Sequence, residues 1–483
     1  MNASLEKLEP KTLWKHFFAL CAIPRGSKNE KAVAAHVVAE AKRMGLPVRQ
    51  DAAGNVIVTK PATKGREGAK PTILQGHLDM VCEKNESKKH DFTKDPITLI
   101  QDGDWLKADG TTLGADNGIG CAAALAVMEA KDLSHGPLEF LFTIDEETGL
   151  TGAFNLEPGS LKGRQLLNLD TEEEGAVYIG CAGGMDSVAT RKVKRVGSGA
   201  GKSAFRLKVA GLKGGHSGLD INTGRGNALK ILARALRSLG TDYALEVSAL
   251  DGGSKRNAIP REAFATIYMD PGKLEAFKGE LVKLQTALRA ELGKADPEVV
   301  LSVESAQGSG QVFEAEEAKR VVSFLYASLH GMLAMTPDIP DLVQTSTNLA
   351  IIETKDDVVT VSMSHRSSID SAKKDVGAMI KAYCELAGFE VTQGSGYPGW
   401  APNVHSPVLA IAKQVHAQLF GKEPHIKAVH AGLECGIIGE KFPGMDTISM
   451  GPTIQGAHSP DEKVGISSTA TFWKYLVALL EKV

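Results

Sequence analysis

Three short apolar runs constrain this chain more than any other feature: PTILQGHLDMV at 71–81, LEFLFTIDEE at 138–147 and RQLLNLD at 164–170. Each is strand-length, has too few polar residues to face water on either side, and ends in acids or a histidine. Strands buried on both faces need helices packed over them, and helical patterns stand at 27–45 and 118–131. In the first of these, Ser27 and Glu30 have capping-box spacing, Val33, Val37, Ala41 and Met44 share a face, and Gly45 closes the end. The pattern predicts an α/β domain around a largely buried sheet. Its charged strand ends lie at the C-terminal edge, where such sheets place their ligand crevices.

From about residue 186 the order of elements changes. FRLKVAGL, a helix at 226–240, YALEVSAL, AFATIYMD, a helix at 272–292 and VVLSVES follow as βαββαβ, the split ferredoxin-like unit. A helix at 314–331, NLAIIET, VVTVSMSHR, a helix at 371–387 and FEVTQG give most of that order again. This reads as an inserted α+β domain of two ferredoxin-like halves. GSGYPGWAPN at 394–403 has the composition of a hinge, and Ser406 with Pro407 restarts a helix of the first kind. The expected organisation is a discontinuous catalytic domain, 1–185 and 398–483, around a lid at 186–397. VGSGAGKS at 196–203 imitates a phosphate-binding loop, but Val196 stands where its first glycine belongs and a strand pattern follows.

Charge narrows the partners. Fifty-five Lys and Arg against 58 Asp and Glu leave a net charge of −3 without any basic run, so no nucleic-acid footprint is present. The opening MNASLEKLEPKTLWK is too polar for a secretory signal and no stretch of 18 apolar residues occurs. The six cysteines are isolated, with neither CxxC nor CxxH spacing, and read as buried hydrophobes in a reducing compartment. A cytoplasmic protein without membrane contact is expected.

The chemistry-bearing residues gather at the strand ends. His77 and Asp79 at i and i+2 share a strand face, so the imidazole can take a metal while the carboxylate orients it; alone, the pair equally describes a satisfied core histidine. Asp116 sits in the glycine-rich turn GTTLGADNGIG before a helix, where an Asx turn or cap is the plain alternative. Asp145, Glu146 and Glu147 end an apolar strand together, which costs too much if buried unless cations compensate, and a solvated loop is the other reading. NLDTEEEG adds Asp170, and GAHSPDE near the C-terminus adds His458. Imidazole and carboxylate donors suit a pair of zinc, cobalt or manganese ions. Spacing alone does not join His458 to residues more than 280 positions earlier.

GHLDMV, GADNGIG, TIDEETG, NLD, GGHSG and GAHSPDE, in this order, resemble the co-catalytic di-zinc exopeptidases related to aminoacylase and carboxypeptidase G, and most of all their aminoacyl-histidine dipeptidase branch. The resemblance spans essentially the whole chain. It implies a mixed-sheet catalytic domain binding two divalent metal ions, with His77 and Asp170 on one, Glu147 and His458 on the other, and Asp116 bridging through a turn whose Asp116–Asn117 peptide is cis. It further implies that Asp79 orients His77 and that Glu146 takes the proton of the attacking water. His216, in GGHSG, would stabilise the oxyanion unless it is a turn histidine capping a helix, reaching across a homodimer formed through the lid or folding back onto its own chain's site in a monomer. Asn257 and Arg366 would hold the substrate's end groups, although Arg366 could equally make a surface salt bridge, and Glu434 in AGLECG would receive the free amino group unless it is a structural turn acid. Aspartate at position 170 favours hydrolysis of unblocked dipeptides, Xaa-His and β-alanyl-histidine (carnosine) included, over an N-acyl amino-acid deacylase or carboxypeptidase on the same scaffold.

Overall fold

The three apolar runs are buried without alternation: every residue of Thr72–His77, Leu138–Thr143 and Gln165–Asn168 is buried. The computed structural model describes residues 5–337 and 339–483. In it the three strands are parallel neighbours, with His77 opposite Thr143 and Gln75 opposite Asn168, so their C-terminal ends share one edge. The full sheet runs in the order Val48–Gln50, Val56–Lys60, Leu138–Thr143, Thr72–His77, Gln165–Asn168, Asp446–Ser449, Ala176–Cys181 and His425–Val429. Antiparallel pairs at both flanks make it mixed. The helix Ala115–Glu129, buried along nearly its whole length, packs on Thr72–His77 and starts at the charged edge.

The chain forms two compact units. The first comprises residues 1–180, 400–428 and 433–483; the second comprises 181–399 and 429–432. The crossing lies ahead of the expected position at 185/186 because Gly183–Lys192 is already a strand of the second unit's sheet. The turn 429–432 falls with the second unit because the Ala182 N–H bonds the carbonyls of Val429 and Ala431.

The second unit's sheet runs Val300–Ser305, Ser203–Ala210, Ala263–Met269, Glu246–Gly252, Val343–Lys355, Val358–Ser367, Gly183–Lys192, Glu390–Gln393. Its first four strands, with helices Ala228–Leu239 and Leu274–Leu292, have the ferredoxin-like order 4-1-3-2. The last four show the same order reversed. Strand one of this second half is Gly183–Lys192, upstream of the entire first half, so one ferredoxin-like unit is nested inside the other. Gly252 pairs with Ile352 where the halves join. Helices Ala315–Ala327 and Asp370–Leu386 complete the second half, and VGSGAGKS runs into the strand Ser203–Ala210, not a helix.

Two local expectations are corrected. The helix predicted at 27–45 spans Lys31–Arg43, and Ser27 and Glu30 form no capping box. Ser27 Oγ donates instead to Asp79 Oδ2 at 2.8 Å, and Glu30 Oε1 accepts the N–H groups of Lys28 (2.8 Å) and Asp145 (3.0 Å). Buried partners at the strand ends win over helix N–H groups that water can satisfy. Cys82 is exposed, unlike the other five cysteines. Among the described residues no helix is long and apolar enough to cross a membrane.

Candidate metal centre

The strand-end residues converge within the first unit. His77 is the last residue of its strand, Asp145–Glu147 follow Leu138–Thr143, and Asp170 lies two residues beyond Gln165–Asn168. Asp116 enters from the turn that opens Ala115–Glu129, where its peptide bond to Asn117 is cis, as the resemblance implied. Its two oxygens face opposite imidazoles: Oδ1 lies 3.0 Å from His77 Nε2 and Oδ2 lies 3.2 Å from His458 Nε2. Asp170 Oδ1 is 3.3 Å from His77 Nε2, and Glu147 Oε2 is 3.0 Å from His458 Nε2. The result is two triads, His77 with Asp116 and Asp170, and His458 with Asp116 and Glu147, the donor atoms of each lying within 4.8 Å of one another.

This donor set fits divalent metals. Tetrahedral zinc with bonds of about 2.0–2.2 Å holds its ligand atoms roughly 3.3–3.6 Å apart, close to these separations. Glu147 Oε1 is a buried oxygen that accepts no hydrogen bond, an arrangement that is costly unless a cation completes it. Behind the triads, Asp79 Oδ1 lies 3.3 Å from His77 Nδ1 and accepts the Glu146 N–H at 3.0 Å, while Oδ2 accepts the Glu147 N–H at 3.2 Å. The carboxylate that faces His77 Nδ1 therefore also fixes the backbone of both glutamates.

Electrostatics agree. Burial would lower the His77 pKa, but Asp170, Asp116 and Asp79 raise it well above the ordinary value. Bonds to Asp116 and Glu147 raise His458 to about 11. Burial, opposed by His77 and reinforced by Asp116 and Glu147, pushes Asp170 up to about 7. Burial also drives Glu146 well above the carboxylate range; His77 opposes the shift, and Asp170, Glu147 and Glu434 add to it. Asp79 goes the other way, held at about 2 against its burial by His77, the Glu146 N–H and Ser27. Carboxylates crowded this closely around two imidazoles call for cations.

Glu434 joins the first-unit cluster, 1% exposed. Its Oε2 accepts from Gln75 Nε2 at 2.7 Å and Thr143 Oγ1 at 2.6 Å, and its Oε1 has no hydrogen-bond partner. Gln75 and Thr143 went unnoticed in the sequence, although a glutamine inside the buried strand TILQGH was a signal. His216, Asn257 and Arg366 lie in the second unit. His216 Nδ1 accepts the N–H groups of Gly218 (3.3 Å) and Leu219 (3.2 Å), which leaves Nε2 as the donating nitrogen. Arg366 is 7% exposed and bonds the hydroxyls of Ser217 and Tyr397, each at 3.3 Å, so it is no surface salt bridge. Arg366, Tyr397 and the exposed Asn257 line one cleft of the second unit.

Fold and cluster together define a metal-dependent hydrolase of the peptidase class. The chain matches peptidase family M20/M25/M40 over residues 73–482 and belongs to it. It is 42% identical over 481 residues to the cytosol non-specific dipeptidase of Escherichia coli strain K12, covering 100% of this chain and 99% of that one. The structure of aminoacylhistidine dipeptidase from Vibrio alginolyticus superposes with a TM-score of 0.91 at 45% identity, covering 100% of this chain and 98% of that one. The aminopeptidase PepT of Bacillus cereus, 17% identical with a TM-score of 0.56 over 98% of each chain, shares the fold.

Proposed function

We propose that this protein is a cytoplasmic two-metal dipeptidase that hydrolyses unblocked dipeptides, Xaa-His and β-alanyl-histidine among them. The observation that carries the reading is Asp116, whose two carboxylate oxygens face His77 and His458 at 3.0 and 3.2 Å. One divalent ion, zinc by preference, would be held by His77 and Asp170, a second by Glu147 and His458, with Asp116 offering an oxygen to each. Bound there, such ions supply Lewis acidity that polarises the scissile carbonyl and acidifies the attacking water.

Every other task falls to the chain. Glu146 removes the water's proton and returns it to the leaving amine; its raised pKa suits a group that must hold that proton between the two steps. Asp79 keeps His77 in the tautomer that presents Nε2. His216, fixed as an Nε2–H donor by the turn that follows it, is assigned to the developing oxyanion, contributed within a homodimer built through the second unit. Arg366 and Asn257 take the substrate's carboxylate, for which a planar guanidinium fork is matched. The buried Oε1 of Glu434 receives the free ammonium. An acetylated substrate brings no cation to that oxygen, which favours a dipeptidase over a deacylase or carboxypeptidase.

A substrate panel on zinc-reconstituted enzyme tests this: carnosine, several Xaa-His and other dipeptides, a tripeptide and an N-acetylated dipeptide. Free dipeptides should be cleaved at least tenfold faster than the acetylated one. Preference for the acetylated compound would transfer the assignment to the deacylases.

A further inference from the structure

Glu462 follows His458 by four residues, is 2% exposed, and takes no part in the chemistry described above. Its carboxylate accepts four successive backbone N–H groups: Leu113 (2.7 Å) and Gly114 (2.9 Å) on Oε2, Ala115 (2.7 Å) and Asp116 (3.2 Å) on Oε1. These belong to the turn that carries Asp116 into the helix Ala115–Glu129. The left-handed Gly114, φ 71°, helps the N–H groups converge, as in the concavities that bind anions. A helix start is ordinarily capped by the residue before it. Here the cap arrives from 346 residues further along the chain than Asp116.

The same turn is gripped at a carbonyl. Arg25, also 2% exposed, donates from Nη1 to the carbonyls of Leu78 (2.9 Å) and Asp79 (3.0 Å), and from Nη2 to that of Gly114. A Cβ on Gly114 or Gly118 would come within 2.5 Å of that Nη2, so both glycines make room for the guanidinium. One clamp thus leads from the turn to the His77 strand end, the other to the His458 loop. Four converging donors require four acceptor sites, which an ionised carboxylate offers and an amide does not. A role confined to folding would be met by any local cap. A cap drawn from the loop of another candidate ligand does more, because it ties the distance between Asp116 and His458 to a backbone contact.

Building on the two-metal reading, we infer that Glu462 is a positioning residue for the metal pair: by gripping the 113–116 backbone it sets Asp116 against His458 so that one carboxylate serves both ions. Glu462→Gln keeps the side chain's shape and turns an NH2 group against two of the four donors. Loss of an outer partner of this kind typically weakens metal binding about 10- to 100-fold. Zinc affinity, read by competition with a chromophoric chelator, should fall by that factor in the variant. The visible spectrum of its cobalt-loaded form should change, and activity should recover as free zinc is raised. Where Glu462→Gln does not fold, Glu462→Asp, which keeps the charge and loses the reach, carries the same measurements. A wild-type protein that takes up no zinc overturns the metal reading and this role with it. Wild type binding two zinc ions, with a variant of unchanged affinity and cobalt spectrum but lower thermal stability, overturns the positioning role alone.

Discussion

Loading the metal centre should expel protons, and their number follows from the geometry. His77 Nε2 lies 3.0 and 3.3 Å from two carboxylate oxygens, and His458 Nε2 lies 3.2 and 3.0 Å from two others, so each imidazole holds a proton at pH 7. Asp170, pushed up to about 7, holds roughly half of one. Metal ligands must give these up. Binding two zinc ions at pH 7 should therefore release between two and three protons from the ligands, and Glu146, whose raised pKa nearby cations would lower, and an ionised water would add to the count. Each released proton steepens binding by about 1.4 kcal/mol per pH unit, so the pair should bind more tightly by roughly 3 to 4 kcal/mol between pH 6 and pH 7. Titration calorimetry of the metal-free protein in buffers of different ionisation enthalpy reads the proton number directly. Stability of the metal-free form has the opposite slope. His77 and His458 have folded pKa values above their unfolded 6.5, so their contribution is complete below 6.5 and lost as pH rises through the folded values. Asp170, raised from 3.8, adds a loss of the same sign centred between about 4 and 7. The gap in melting temperature between zinc-loaded and chelated protein should widen from pH 5.5 to pH 8. Release of fewer than two protons, or a gap that does not change with pH, would refute the assignment of these ligands.

Two substitutions separate the adjacent glutamates. Glu146→Gln should lower turnover by about a hundredfold or more with metal content unchanged, whereas Glu147→Gln should lose metal, as elemental analysis would register; the reverse pattern would exchange their roles. His216→Ala should remain fully metallated and lose about 100- to 1000-fold in turnover, as expected for a missing oxyanion donor. Mixed with an equally inactive Asp116→Ala protein under subunit exchange, it should regain part of the activity, because one site then has intact metals and the partner's His216. Absence of recovery in heterodimers verified by mass would return His216 to its own chain's site.

The catalytic sheet was legible because strands buried on both faces read as short, mostly apolar runs such as LEFLFT, too short for a buried helix. The second ferredoxin-like half was only partly legible. Its first strand, Gly183–Lys192, precedes the whole first half, and no local pattern announces pairing across an insertion of that size. Ser27 and Glu30 misled for a related reason. A capping box is a statement about neighbours, and here the neighbours lost to Asp79 and the Asp145 N–H, which only the tertiary fold brings near.

The site divides along the same line. His77, Glu146, Glu147 and Asp170 stand at strand ends, so the fold class alone delivers them to one edge. His458 does not: its loop ends in Lys463–Gly465, a strand that pairs with Trp105–Ala108 outside the main sheet, and only the resemblance joined it to the others. The contacts that lock this loop to the centre are backbone N–H groups meeting a glutamate, and backbone donors leave no residue-type signature to read. Polar residues forced into apolar surroundings do leave one. Gln75 is 1% exposed in the middle of its strand, and its amide has no reason to be there unless Glu434 and Asn168 flank it, at 2.7 and 2.5 Å. Desolvating an amide is costly unless its polar atoms are met, and the Glu434 carboxylate that meets this one is thereby held beside the candidate metal ligands.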